Sequence, residues 1–144
     1  MMVFDASALM AIVRNEQLGA DFVRGLLDDA DVPKYVHSAN LCEVFHLVWR
    51  IAVNVGQDGR TEAERAVRDF LRMGIEERSD MDAAFWRDAG ELIARRRLAG
   101  ASLPLGDALG VALTRRLNAQ FVTADRAEIE PLRVAGLVDA LFIR

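Results

Sequence analysis

The sequence holds one cysteine, Cys42, so no disulfide can staple the chain from within. It also holds a single lysine, Lys34, against 17 arginines. Every apolar run is broken by charge well short of the ~18 residues that a membrane helix needs, so no membrane association is expected. No basic leader is present: Met1-Met2-Val3-Phe4 meets Asp5 at once, and no secretory signal is read there. Repeats, low-complexity tracts and linkers are absent. So are the G-x-S-x-G elbow, the Walker loop and the G-x-G-x-x-G fingerprint. With 52% hydrophobic and 28% charged residues, the chain is not a disordered one. The expectation is a cytoplasmic protein with one domain over residues 1–144, long enough to bury a sizeable core.

Charge is also informative by its balance. Eighteen basic and 22 acidic residues give −4, which leaves no basic footprint for indiscriminate wrapping of nucleic acid. A nucleic-acid enzyme is still open, because cations held by carboxylates reverse the local field. Arginine in place of lysine suits bidentate contacts; a GC-rich genome is the simpler source of that bias.

Short apolar runs alternate with helical patterns. Val3-Phe4 reads as a buried first strand ending in Asp5. Phe22, Val23, Leu26 and Leu27 give a helix over about 18–30, and Lys34-Tyr35-Val36-His37 a second strand. Ser38 or Asn40 is the expected cap of a helix through Leu41, Val44, Phe45, Val48 and Ile51 to about Val55. Thr61 and Glu64 have the capping-box spacing, and Glu64 with Arg68 that of a helical ion pair. That helix ends near Met73-Gly74, before a weak edge strand at Ile75–Arg78. A longer helix spans about 81–98, ending basic and then at Gly100. Pro104 opens another helix to about Leu117. Gln120-Phe121-Val122-Thr123 is a clear strand, followed by a short helix at about 128–135 and a last strand at about 139–143. The alternation predicts an α/β fold, a mostly parallel sheet covered by helices on both faces.

Four acids sit where a surface acid should not. Asp5 and Asp125 end apolar strands, Glu43 lies among Leu41, Val44, Phe45 and Leu47, and Asp107 falls in the first turn of a small-residue helix. In an open parallel sheet, ligands bind in the crevice beyond the carboxyl ends of the strands. Asp5 and Asp125 point there, Glu43 can reach back from its helix, and a helix N-terminus favours the Asp107 carboxylate. Four carboxylates in one crevice would raise one another's pKa values unless a cation neutralised them. Oxygen-only ligands suit Mg²⁺ or Mn²⁺. Such ions activate water and stabilise the leaving oxygen of a phosphodiester. Taken singly, each acid is better explained as a cap or an arginine partner.

The segments Val3-Phe4-Asp5-Ala6-Ser7-Ala8-Leu9, Glu43 in its apolar helix, Leu103-Pro104-Leu105-Gly106-Asp107-Ala108-Leu109 and Phe121-Val122-Thr123-Ala124-Asp125-Arg126 carry a resemblance. In order, spacing and local sequence they resemble the PIN-domain nucleases, and in size the VapC toxin branch. The resemblance spans residues 3–126. It implies a three-layer α/β/α PIN-like domain and a metal-dependent endoribonuclease acting on RNA. Asp5, Glu43, Asp107 and Asp125 would be its catalytic and metal-holding carboxylates. Thr123 and Ser7 would hold ion-bound water or orient a carboxylate. It further implies a homodimer and a cognate antitoxin that blocks the site. Some relatives carry another acid or amide shortly after the fourth acid, a place that Glu128 or Glu130 would fill here.

Other patterns carry less. Glu43-x-x-His46 has the spacing of di-iron helices, but those need two such pairs on a four-helix bundle. Cys42 and His46 share a helical face, yet structural zinc needs four ligands, so both read as packed residues. His37 near the crevice reads as a satisfied strand-end histidine with at most a minor RNA contact. Arg95-Arg96-Arg97 and Arg115-Arg116 sit at helix C-termini, where the dipole suffices to explain them; phosphate contact is the lesser reading. Trp49 and Trp86 read as core or dimer interface. Two rival functions are a non-catalytic PIN-like protein that binds RNA or a partner, and a metal-dependent phosphotransfer domain. The second lacks the Asp two residues after Asp5 (Ser7 stands there) and any late lysine.

Overall fold

The computed structural model describes residues 1–144. Five strands form one all-parallel sheet: β1 (Met2–Phe4), β2 (Lys34–His37), β3 (Ile75–Arg78), β4 (Gln120–Thr123) and β5 (Ala140–Phe142), in the order β3-β2-β1-β4-β5. Helices α1 (Ala6–Val13), α2 (Gln17–Asp28), α3 (Ser38–Asn54) and α4 (Gly59–Arg72) lie between β1 and β3. Helices α5 (Ala83–Leu98) and α6 (Leu105–Leu117) precede β4, and α7 (Arg126–Val134) precedes β5. No helix is long and apolar enough to cross a membrane.

Strand side chains alternate between the two faces of the sheet, and the core divides accordingly. Phe4, Val36, Ile75 and Val122 pack with α1, α2, α3 and α4, while Val3 and Phe121 pack with α5, α6 and α7. The result is the expected three-layer α/β/α arrangement. The chain steps outward from β1 to β3 with helices on one face, then returns to β4 and β5 with helices on the other. Parallel crossovers share one hand, so reversing direction across the sheet requires changing face. The reversal leaves β1 and β4 as neighbours whose connections depart to opposite sides. Their carboxyl ends are therefore the switch point where such sheets open a crevice.

Several local expectations change. Helix α1 gives no amphipathic signal because Ala6, Ala8, Leu9, Met10 and Ala11 are all buried, and a helix apolar nearly all round shows no face. Neither Ser38 nor Asn40 caps α3. His37 does, its Nδ1 accepting from Ala39 N, because Ser38 Oγ donates to Glu77 and to the Arg78 carbonyl, and Asn40 turns inward. Asp58, not Thr61, caps α4 by accepting from Thr61 N. Glu62 pairs with Arg65 there, and the Glu64–Arg68 pair does not form. Lys34, the lone lysine, is buried and donates to the Asp29 and Val32 carbonyls, a purely local tie.

Helix α6 approaches the sheet closely enough to need a glycine. A Cβ on Gly110 would fall 2.7 Å from Phe121 Cε2 and 3.2 Å from Asn40 Oδ1. The Phe121 ring is fully buried and has nowhere to move. Gly110→Ala should lower unfolding free energy by about 1–2 kcal/mol, overpacking outweighing the ~1 kcal/mol helix-propensity gain. Urea unfolding checks this; a variant as stable as wild type would show that α6 is not held against β4.

Candidate metal centre

Asp5 follows β1 directly and starts α1, and its side chain is 1% exposed. Its neighbour across the sheet follows from register: Phe4 pairs with Val122, and Asp5 N donates to the Val122 carbonyl. Thr123 therefore stands beside Asp5, and Asp125 comes two residues later at the start of α7. Asp107 enters from the first turn of α6 and is buried. Oxygens of Asp5, Asp107 and Asp125 all lie within 4.8 Å of one another. Half-buried Glu43 lies at the border: its Oε2 is 3.3 Å from where a Cβ on Gly106 would stand. The sequence-predicted acids thus gather as a close triad with Glu43 alongside.

Hydrogen bonds fix Asp5 and leave the others freer. Ser7 Oγ donates to Asp5 Oδ2 at 2.6 Å, and Thr123 Oγ1 to the same oxygen at 2.9 Å. Both hydroxyls also accept, Ser7 from Ala124 N at 2.9 Å and Thr123 from Asp125 N at 3.0 Å. Those roles fit the expected orientation of a carboxylate by Ser7 and Thr123. Asn40 Nδ2 donates to Asp5 Oδ1 at 3.0 Å. Asn40 was legible only as a cap, since nothing in its spacing marks an inward-facing amide.

Burial is the chief reason that the Asp5 carboxyl is raised from 3.8 to about 6, with Asp125 and Glu43 adding to it against the hydrogen bonds of Ser7 and Thr123. Burial likewise drives Asp107 up to about 8, followed by the charges of Asp5, Asp125, Glu43 and Glu128. Of the two later acids, Glu128 is thus near the cluster, whereas Glu130 is engaged by Arg133 at 2.7 and 2.8 Å. No basic side chain is among the hydrogen-bond partners of the triad. A hard divalent cation fits this set: the donors are all oxygen, they crowd together, and their repulsion is otherwise uncompensated.

The remaining candidates separate. His37 is 2% exposed, stacked on Phe85 at 5.4 Å, with Nε2 hydrogen-bonded at 3.0 Å to the Asp80 carbonyl, so it has no free edge for RNA. Cys42 and His46 are exposed rather than packed, because the buried stripe of α3 is Leu41, Val44, Val48 and Ala52. Trp49 is half-buried over Gly59, while Trp86 is 48% exposed and outside the core. Arg116 is held by Asp80 and Asp82, Arg115 by Asp88 and the Leu137 carbonyl, and Arg95 by Glu91. These arginines have structural employment.

Both raised carboxyls bind protons in the folded chain at pH values where the unfolded chain, near 3.8, does not. Stability in metal-free buffer should therefore fall as pH rises from about 4 through about 6 and 8. Asp107→Asn should remove most of the fall between pH 6 and 8 and raise the melting temperature at pH 8 by a few degrees, about 3 °C per kcal/mol recovered. Thermal unfolding across that range, wild type against variant, checks the sign. Parallel profiles would contradict the repulsion.

The PIN domain family model matches residues 2–133. No curated protein sequence matches. Similar solved folds include a chain of VapBC2 from Rickettsia felis bound to a promoter DNA fragment, 13% identical, TM-score 0.71, covering 98% of this chain and 97% of that one. VapC20 of Mycobacterium tuberculosis, a sarcin-ricin loop cleaving toxin, is 17% identical with a TM-score of 0.65, over 84% and 87% of the two chains. A chain of a toxin–antitoxin complex from Klebsiella pneumoniae is 15% identical with a TM-score of 0.64, over 100% and 98%. With its family model, its all-parallel sheet and its acids at the ends of β1 and β4, the chain belongs to the PIN domain family.

Proposed function

We propose that the protein is an endoribonuclease that uses Mg²⁺ or Mn²⁺ and serves as the toxin of a toxin–antitoxin pair. The observation that carries the reading is the meeting of Asp5, Asp107 and Asp125 oxygens within 4.8 Å beyond the ends of β1 and β4, with no basic side chain hydrogen-bonded to them. Asp5, Asp107 and Asp125 would hold the cation, with Glu43 beside them. The ion would supply Lewis-acid stabilisation of a phosphodiester and a lowered pKa for water. Ser7 and Thr123 anchor one oxygen of Asp5 before substrate arrives, which lowers the reorganisation needed at the moment of reaction. The raised carboxyls make cation binding compete with protons, so activity should rise with pH through the neutral range.

A cleft of about 430 Å³ lined by Cys42, Glu43, His46, Pro104, Leu105 and Gly106 opens next to Glu43 and offers room for a flexible RNA strand. Toxin function is supported by the likeness to VapC20 and to the Klebsiella pneumoniae complex. Exposed Leu18 and Phe22 on α2, Leu71 on α4 and Met73 just past its end give a protein partner apolar surface to cover. We assign that partner as an antitoxin, and a second copy of the chain as the homodimer mate.

Incubating the protein, free of antitoxin, with total RNA and Mn²⁺ tests the reading. Discrete fragments are expected, lost on chelation. Asp5→Asn should reduce cleavage by more than the ~10–100-fold typical of a ligand's supporting neighbour. Cleavage that survives both treatments, or none from wild type under any divalent ion, overturns it.

A further inference from the structure

Asn40 lies three residues before Glu43 on α3 and is 0% exposed. An amide buried so completely costs free energy unless its donors and acceptors are met. Its Nδ2 donates to Asp5 Oδ1 at 3.0 Å and to the Gly106 carbonyl at 3.4 Å, but its Oδ1 has no partner. Turning the amide over would set its oxygen against a carboxylate and a carbonyl, which is worse. A helix position that keeps an unpaired buried acceptor gains something from the other end of the amide.

Counting lone pairs on Asp5 shows what that is. A carboxylate offers about four acceptor sites. Ser7 and Thr123 both donate to Oδ2, and Asn40 alone donates to Oδ1. One site on Oδ1 remains. The two hydroxyls grip a single oxygen, about which the group could still swing; Asn40 on the second oxygen removes that freedom. Its bond to the Gly106 carbonyl also ties the carboxylate to the turn of α6 that carries Asp107.

We propose that Asn40 is a positioning residue that fixes the plane of the Asp5 carboxylate and its spacing from Asp107, leaving one Oδ1 lone pair directed to a divalent cation. The proposal rests on the cluster being a cation site. It assigns Asn40 to cation affinity rather than to folding. Asn40→Leu removes the donor and the orphaned acceptor together while keeping the γ-branching, and Asn40→Ala removes both without added bulk.

The test is calorimetric titration of Mn²⁺ into wild type and both variants, with metal-free melting and RNA cleavage against Mn²⁺ concentration alongside. The dissociation constant for Mn²⁺ should rise about ten-fold or more in each folded variant. The Mn²⁺ concentration for half-maximal cleavage should rise in step, with activity recovering toward wild type at saturation. Metal-free Asn40→Leu should melt within about 3 °C of wild type. A folded variant, Asn40→Ala if Asn40→Leu does not fold, that binds Mn²⁺ as tightly as wild type overturns the role of Asn40 alone. Wild-type protein that binds no Mn²⁺ overturns the cation site itself, and this role with it.

Discussion

Carboxylates that repel one another are held together in a place with little water to screen them. Burial and mutual charge lift Asp5 to about 6 and Asp107 to about 8, so the folded chain carries strain in these acids that nothing basic relieves. Three features of the architecture enforce the encounter. The register of β1 with β4 sets Asp5 beside Thr123, two residues before Asp125. Hydroxyl and amide donors from Ser7, Thr123 and Asn40 anchor Asp5. Close approach of α6 at Gly106 and Gly110 brings in Asp107 and admits Glu43.

The fold makes that encounter almost unavoidable. A parallel sheet whose connections reverse at its middle has to part its helices there, since the layers on the two faces diverge. Side chains that follow the two central strands then face a crevice. The glycines of α6 are the price of narrowing it: they remove the side chains that would hold the helix away from Phe121, Asn40 and Glu43. Elsewhere several arginines are tied into the frame, as Arg116 is to Asp80 and Asp82 across the α5 entrance. Those contacts hold elements in place, and the charged neighbours that act on Asp5 and Asp107 are all acids.

Much of this was readable in advance where local chemistry and tertiary packing agree. Strand Gln120–Thr123 and the acids that end strands follow from apolar runs punctuated by a charge, and the order of elements gives a parallel sheet. Helix α1 was invisible because a fully buried helix has no polar face to mark its period. Caps were misplaced for the opposite reason. Ser38 and Asn40 are good caps locally, but tertiary partners, Glu77 and Asp5, take their side chains. Cys42 and His46 looked packed because their neighbours are apolar; the stripe of α3 that meets the core runs through Leu41, Val44 and Val48 and misses both. Asn40 was missed as part of the site because an amide's value depends on which carboxylate it meets, and that is set by β1.

The most direct measurement is a crystal structure with Mn²⁺, using the ion's anomalous scattering to place it. A peak coordinated by oxygens of Asp5, Asp107 and Asp125, with Asn40 still donating to Asp5 Oδ1, is the predicted result. A protein that crystallises with Mn²⁺ bound elsewhere, and no ion at these three carboxylates, would contradict the account.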